Sequence, residues 1–199
     1  MMQKKSSGDG NNMTGKQHIE PVPEIKRLKR YFFTRDVLNV APDLLSKVLA
    51  IRSADDNIKR FIISETEAYR GFEDRACHAS KGRTARTEIM YHDGGKLYIY
   101  FVYGIYWMLN IVTGARDDPQ AVLIRGFENC TGPGRVTRLL GIDRSFYGED
   151  LVTSERIWME DSGITPAYKT GPRVGINYAG EPWKSKPWRY YLLPPTPEK

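Results

Sequence analysis

The stretch from Leu97 to Ile111 constrains the fold more than any other part of this sequence. It is mostly aromatic or aliphatic, and it includes five tyrosines or tryptophans, one asparagine and Gly104. A bilayer-spanning helix needs about 20 apolar residues, and no run in the chain approaches that length. Aromatic and β-branched residues favour strands, and a glycine permits a tight bend. We therefore expect two strands that meet at Gly104, and no membrane segment.

Further elements are predicted around this hairpin from the spacing of apolar residues. Helical spacing predicts two helical pieces within residues 35–51, with Pro42 opening the second, and a short helix between Gly132 and Gly141. Additional strands are predicted at Arg60–Tyr69, Ala121–Phe127, Val174–Tyr178 and Trp188–Leu193. Together these elements predict a single compact α+β domain around a curved, largely antiparallel β-sheet, with a protruding aromatic β-hairpin and flanking helices.

The two ends of the chain differ in composition from its middle. Residues 1–20 are polar and rich in Gly, Ser and Asn, so they cannot bury enough apolar surface to offset the entropy of ordering. We expect them to form a disordered tail, and residues 21–199 to form one domain. The proline-rich end, Pro194–Lys199, is expected to be extended.

The charge balance suits a polyanionic partner. The chain has 30 Lys and Arg against 24 Asp and Glu, which gives a formal net charge of +6. A solvated basic surface explains this excess equally well. Residues 75–91 and 164–199 combine the basic excess with aromatic side chains, however, and that combination is common on nucleic-acid-binding surfaces.

Cysteine and histidine are too scarce and too widely spaced for a metal site. The two cysteines and three histidines form no CxxC or HxxxH pattern. We therefore expect no metal and no cofactor. So few cysteines in a chain of this length also favour a reducing compartment without disulfides.

Two carboxylates interrupt a strand that should be half buried. Alternation along residues 60–69 places Glu65, Glu67 and Tyr69 on the same face as Phe61 and Ile63, which should point inward. A carboxylate beside an apolar core is costly unless it has a partner or a function. The alternative is an edge strand whose face becomes solvent-exposed after Ile63.

The tyrosines of the hairpin are also more numerous than a core requires. Four of them fall within nine residues, 98–106, and each buried hydroxyl needs a hydrogen-bond partner. Aromatic side chains at a glycine bend can stack on bases or wedge between them. The alternative is an aromatic-rich sheet core.

Several motifs together resemble the alkyladenine DNA glycosylase family, the 3-methyladenine DNA glycosylases of the mammalian type. The resemblance spans roughly Tyr31 to Leu193 and is specific because the motifs occur jointly and in this order. They are ETEAY at residues 65–69, G-x-E-D-x-A-x-H at 71–78, LYIYFVYGIYWMLNI at 97–111, VLIR at 122–125, CTGPGR at 130–135, RVGINYAGE and KPWRYY.

The resemblance implies a catalytic group and a base pocket. Glu67 corresponds to the general base that activates water, and Arg125 and the carbonyl of Val174 correspond to the groups that orient this water.

Within the pocket, the resemblance makes Tyr69 one wall of the base site, with His78 and Tyr100 opposite. Asn110 corresponds to the residue that obstructs the exocyclic amine of guanine. Tyr103, just before Gly104, corresponds to the residue that enters the minor groove and fills the gap left by the flipped nucleotide.

The resemblance also implies the partner and the surroundings of the enzyme. Arg83, Arg86 and Arg135 are expected to contact the DNA backbone, and the partner is double-stranded DNA that contains damaged purines. We expect a monomer, located in the bacterial cytoplasm with the nucleoid or, in a eukaryote, in the nucleus.

The implied function is that of a monofunctional glycosylase of base excision repair, which releases alkylated or deaminated purines by hydrolysis. Two alternatives remain from the residues themselves. A non-catalytic nucleic-acid-binding module would use the aromatic hairpin alone, but it gains nothing from Glu67 in a basic cleft. A carbohydrate hydrolase would use Glu65 and Glu67 as its pair of carboxylates, although the basic surface and the tyrosines do not suit neutral sugars.

Overall fold

The aromatic hairpin forms as predicted in the computed structural model of the chain, which describes residues 26–193. Strand β4 (Leu97–Val102) pairs antiparallel with β5 (Tyr106–Thr113), and the amide of Ile105 donates to the carbonyl of Val102 across the bend. Tyr103 and Gly104 both have positive φ, at 54° and 66°. The bend therefore uses the left-handed region, which glycine enters freely and tyrosine does not.

The hairpin is the end of a ten-stranded sheet in which every strand pair is antiparallel. The other strands are β1 (Lys26–Arg27), β2 (Val48–Arg52), β3 (Ile58–Arg70), β6 (Gln120–Phe127), β7 (Cys130–Thr131), β8 (Ile157–Asp161), β9 (Tyr168–Gly171) and β10 (Arg189–Leu192). The strand order along the main path is β1-β8-β2-β3-β6-β5-β4. In addition, β10 pairs with β3 and β9, and β7 pairs with β6. The predicted α+β class with a largely antiparallel sheet is confirmed.

Within residues 26–193, three short α-helices accompany the sheet: α1 (Arg30–Phe33), α2 (Val37–Asp43) and α3 (Pro133–Leu140). The Asp36 side chain caps α2 by accepting a hydrogen bond from the amide of Leu38 at 2.8 Å. The predicted helix between Gly132 and Gly141 is confirmed as α3, with Pro133 at its first position and Gly141 in the left-handed conformation after its end. Four 3-10 helices span His78–Lys81, Glu88–Tyr91, Arg144–Phe146 and Asn177–Ala179.

The second helical piece predicted within residues 35–51 is wrong. Pro42 lies inside α2 rather than at the start of a new helix, and Val48 and Leu49 belong to β2. β2 pairs with β3 on one side and with β8 on the other, so its backbone groups are satisfied by two ladders. A short apolar run fits a central strand as well as a helix, and here the long-range pairing decides.

The strand predicted at Val174–Tyr178 is also wrong, whereas the strand at the end of the chain is confirmed as β10. Residues 174–176 are irregular and lead into the 3-10 helix Asn177–Ala179. Gly175 has a φ of 77° and Gly180 a φ of 67°, so the backbone turns at both ends of this segment instead of continuing as a strand.

The main core combines residues of all three helices with the apolar face of the sheet. Its fully buried members include Phe33, Leu44, Ile63, Leu109 and Ile124. A second, smaller cluster lies under the first two 3-10 helices and contains Cys77, Met90, Tyr98, Val112 and Ala121. One side of the sheet therefore packs in the main core, and the other leads to an aromatic cavity.

Two sequence predictions fall outside the part of the chain that the structure describes. These are the disordered tail at residues 1–20 and the extended end at 194–199. Within residues 26–193, no helix is long and apolar enough to cross a membrane.

The contact of Gly94 with the end of α1 yields a test of the fold. A Cβ atom at Gly94 would lie 2.2 Å from the carbonyl oxygen of Phe33, which is backbone and cannot rotate away. We expect Gly94→Ala to lower the free energy of unfolding by at least the ~1–3 kcal/mol typical of overpacking. Gly171→Ala is the control, because its nearest neighbours would be at 3.6 Å. Urea denaturation measures both, and equal effects would contradict the proposed close approach.

Candidate active site

A β-bulge in β3 sets the direction of the ETEAY side chains. The register of β3 against β6 shifts between Ile63 and Glu65 and again between Glu65 and Thr66. A bulge reverses the alternation of faces along a strand. Ile63 and Ala68 therefore both pack in the main core, although they are an odd number of positions, five, apart. The prediction that Glu67 shares the face of Ile63 is wrong, because the bulge turns Glu67 away from that core.

Glu67 is fully buried, and both oxygens of its carboxylate have polar partners. Oε1 accepts a hydrogen bond from the backbone amide of Val174 at 2.7 Å and lies 3.4 Å from Nη1 of Arg125. Oε2 accepts a hydrogen bond from the hydroxyl of Tyr69 at 2.8 Å. Burial raises the pKa of Glu67 above its ordinary value, and Arg125, the Val174 amide and Tyr69 oppose that rise.

The raised pKa makes Glu67 a stronger base than an exposed glutamate and a poorer contributor to stability. The folded protein binds the carboxyl proton more tightly than the unfolded chain does. The stability that Glu67 contributes therefore falls as the pH rises from the unfolded value of 4.5 through the folded pKa. A buried base of this kind is typical of functional sites.

An aromatic cavity adjoins Glu67 and brings the predicted base-pocket residues together. It is lined by Tyr69, Ala76, Cys77, His78, Met90, Tyr98, Tyr100, Asn110, Ala121 and Tyr178. All four predicted base-pocket residues are among these. Tyr69 belongs to both halves of the site, since its ring lines the cavity and its hydroxyl contacts Glu67.

His78 presents an uncharged ring to this cavity. Its Nδ1 lies 2.8 Å from the hydroxyl of Tyr98, and its ring meets that of Tyr100 edge-on with centroids 4.7 Å apart. Burial and, to a smaller extent, the positive charges of Arg86 and Lys81 together lower the pKa of His78 to about 4. The imidazole is therefore neutral near pH 7.

Asn110 lies at the buried end of the cavity. Its Nδ2 donates to the carbonyl of Tyr98 at 3.0 Å and to that of Met108 at 3.4 Å. These bonds fix the orientation of the amide within β5, so a group that enters the cavity meets a rigid side chain.

A buried ion pair supports the cavity from behind Tyr69. Arg173 forms two hydrogen bonds with Asp74, at 2.5 and 2.8 Å, and both side chains are fully buried. The guanidinium carbon of Arg173 lies 4.7 Å from the centroid of the Tyr69 ring. Burying a paired Arg and Asp holds the adjacent ring in place, since breaking such a pair would leave an uncompensated charge.

Three of these supporting residues were not identified from the sequence. Tyr98 lies in the tyrosine-rich hairpin but received no role, and Asp74 lies within the motif at residues 71–78. Tyr178 lines the cavity entrance, where it is 71% exposed and its hydroxyl donates to the carbonyl of Ala76 at 3.3 Å. Tyr98 and Tyr178 both lie within quoted motifs, at residues 97–111 and 173–181, but neither motif was assigned a role for them.

Tyr103 stands apart from the cavity at the tip of the hairpin. Its side chain is 89% exposed, and its backbone has a φ of 54°. A bulky residue in this conformation is uncommon and is strained. Neither core packing nor local conformation accounts for a tyrosine here, so its role as a DNA wedge stays a prediction.

The three arginines predicted to contact the DNA backbone differ in whether acidic side chains of the protein already pair with them. Arg83 is paired with Glu88 at 2.6 Å and with Asp117 at 3.1 Å. Arg86 lies over the ring of Tyr100 at 4.9 Å, and Arg135 is exposed in the first turn of α3, where it donates to Thr131. Their contacts with DNA stay predictions, and the pairing of Arg83 makes it the least available of the three.

Comparison with known proteins gives a consistent assignment. A family model described as Methylpurine-DNA glycosylase (MPG) matches residues 31–194. A relative from Psychrobacter cryohalolentis is 42% identical over 190 residues, covering 81% of this chain and 88% of the relative. One from Desulfitobacterium hafniense is 40% identical over 196 residues, covering 84% and 96%. Both carry the name "Putative 3-methyladenine DNA glycosylase".

The matched range contains the buried Glu67, the aromatic cavity and the hairpin tip. It also agrees with the resemblance seen in the sequence motifs. The chain belongs to the methylpurine-DNA glycosylase family.

Proposed function

We propose that this chain is a monofunctional DNA glycosylase, which flips a damaged purine out of duplex DNA and hydrolyses its bond to the sugar. Tyr69 carries the proposal, because its ring lines the cavity while its hydroxyl bonds to Glu67. A base held against this ring has its glycosidic bond close to a buried carboxylate. The names of the relatives, which specify 3-methyladenine, support the same class of substrate.

Flipping is required because a base inside a duplex is out of reach of any enclosed pocket. Extrusion costs a few kcal/mol of stacking and pairing energy. Tyr103 offsets part of this cost by stacking in the gap, since its exposed ring at the hairpin tip is free to enter the duplex.

The cavity suits alkylated or deaminated purines as a class, including 3-methyladenine, 7-methylguanine, hypoxanthine and ethenoadenine. Stacking on aromatic walls is worth about 1–3 kcal/mol per base and tolerates many ring substituents. Alkylation makes some purines cationic, and electron-rich rings attract a cation. The neutral ring of His78 adds no repulsion, and the rigid Asn110 obstructs the exocyclic amine of guanine without excluding every base that carries it.

Hydrolysis follows from the charge that develops as the carbon–nitrogen bond breaks. Positive charge grows on the sugar, and the carboxylate of Glu67 stabilises it and accepts a proton from the attacking water. The water oxygen bonds to the anomeric carbon, and the electrons of the broken bond leave with the base. Arg125 and the carbonyl of Val174 orient the water.

The proposed enzyme releases the base without cutting the strand. Strand cleavage by a glycosylase requires an amine that forms a Schiff base with the sugar. None of the cavity-lining side chains in the described part of the chain is a lysine, which supports water as the nucleophile.

The proposed partner is double-stranded DNA, bound by a monomer. We expect Arg86, which lies over the Tyr100 ring of the cavity, and Arg135 on α3 to neutralise backbone phosphates. Arg83 contributes less, because Glu88 and Asp117 already neutralise it.

Replacement of the general base separates catalysis from folding. Glu67→Gln removes the proton acceptor but keeps the shape and an acceptor oxygen. We expect the single-turnover rate of base release to fall at least about 100-fold, because general-base catalysis contributes 10²–10⁴-fold. Because burial raises the pKa of Glu67, the variant should be at least as stable as the wild type at neutral pH.

The control for this variant is Glu128→Gln, which changes an exposed glutamate at the end of β6. It should leave both the rate and the stability unchanged. A Glu67→Gln enzyme with a near-normal rate would show that Glu67 is not the base.

Loss of the Tyr103 ring should impair flipping and spare the fold. Because the side chain is 89% exposed, we expect Tyr103→Ser to change the free energy of unfolding by no more than about 0.5 kcal/mol. Binding to lesion DNA should weaken by about 5- to 150-fold, the equivalent of 1–3 kcal/mol of lost stacking. A fluorescent base analogue at the lesion measures extrusion directly.

The matched control is Tyr31→Ser, a 75% exposed tyrosine on α1. It should not alter flipping. If Tyr103→Ser instead unfolds the protein, or flips the analogue as well as the wild type does, Tyr103 is not the wedge.

A further inference from the structure

Glu65, the first carboxylate of ETEAY, has no role in the hydrolysis described above. It lies within the bulge of β3, and its side chain is only 17% exposed. Its Oε1 accepts a hydrogen bond from Nε of Arg125 at 3.1 Å and lies 3.4 Å from Nη1 of Arg189. A carboxylate oxygen held by two guanidinium groups is poorly suited to act as a second acid, so the two-carboxylate glycosidase alternative loses support.

The geometry points to Glu65 as a positioning residue that holds the guanidinium of Arg125 against Glu67. This inference rests on the proposed function. Arg125 is 13% exposed, and its Nε and Nη1 lie on one rigid, planar group. Because Glu65 fixes the Nε edge, the Nη1 edge is directed at Oε1 of Glu67. Both carboxylates therefore contact one arginine, Glu65 at Nε and Glu67 at Nη1.

Glu65 is one of the acidic residues that offset a group of arginines around Glu67. Arg125 faces Glu67 from β6, and Arg173 immediately precedes Val174. Arg189 is the backbone neighbour of Glu67 on β10, and its guanidinium contacts Glu65. Tyr69 on β3 adds a hydroxyl that is neutral at pH 7. The carboxylates of Glu65, Asp74 and an ionised Glu67 offset these three arginines.

This balance predicts that removing the charge of Glu65 and removing the charge of Arg189 have opposite effects on the pKa of Glu67. Removing the charge of Glu65 leaves an excess positive charge, which favours the ionised form of Glu67 and makes it a weaker base. Removing the charge of Arg189 leaves an excess negative charge and favours the protonated form. Glu65 would thereby set both the direction of Arg125 and the basicity of Glu67.

The test is the pH dependence of single-turnover base release from a duplex that contains one hypoxanthine or one ethenoadenine. Relative to the wild type, Glu65→Gln should move the acid limb of the profile to lower pH, and Arg189→Gln should move it to higher pH. The double variant should return it close to the wild-type position. Glu65→Leu, which also removes the acceptor, should lower the rate by about 100-fold, the cost of misplacing a catalytic group by about 1 Å.

A stability measurement and a conservative variant separate an effect on folding from an effect on catalysis. Urea denaturation identifies variants that are merely unstable, and the near-isosteric Glu65→Gln keeps the test open if Glu65→Leu does not fold. A purely structural role would shift neither acid limb, or would shift both in the same direction, and either result overturns the inference. If the wild type releases the base and the Glu65 variants have the same rate and pH profile as the wild type, this inference is refuted but the proposed function is not. A wild type that releases neither base refutes the proposed function, and this inference with it.

Discussion

An ionisable carboxylate without solvent contact is the constraint around which this structure is arranged. Glu67 would be costly to bury alone, and several parts of the chain that are distant in sequence supply its partners. Arg125 comes from β6, the amide of Val174 from an irregular segment near the end of the chain, and Tyr69 from β3 itself. The central strand β3 joins these parts, because it pairs with β2, β6 and β10.

The two faces of β3 have different environments, because one packs in the main core and the other faces the candidate active site. Beyond its bulge, Ala68 packs in the main core, whereas Tyr69 lines the aromatic cavity. The cavity has rings that can accept a flat, electron-poor base, and the low pKa of His78 keeps its own ring uncharged near pH 7. The buried pair of Asp74 and Arg173 stiffens this arrangement without exposing further charge to the cavity.

Much of this could be predicted from sequence, because some signals are local. The hairpin follows from alternating aromatic residues around Gly104, and Glu67 follows from its motif. The helix predicted through Val48 failed because β2 is stabilised by pairing on both sides, which no local pattern reveals. The bulge in β3 was missed for the same reason, as was the contact of Glu65 with Arg125, 60 residues away. Contacts made across the sheet depend on register, and register depends on the whole fold.

The fate of the water oxygen tests the central claim most directly. The enzyme is incubated with a duplex containing a single hypoxanthine in water enriched in ¹⁸O, and the released base and the DNA strand are analysed by mass spectrometry. If Glu67 activates water, a single turnover quenched at once with borohydride leaves one ¹⁸O on the abasic sugar, none on the free base and an intact strand, and Glu67→Gln yields at least about 100-fold less of this product in the same time. A covalent enzyme–DNA adduct trapped by borohydride, or a cleaved strand, would instead show attack by an amine and would contradict the account.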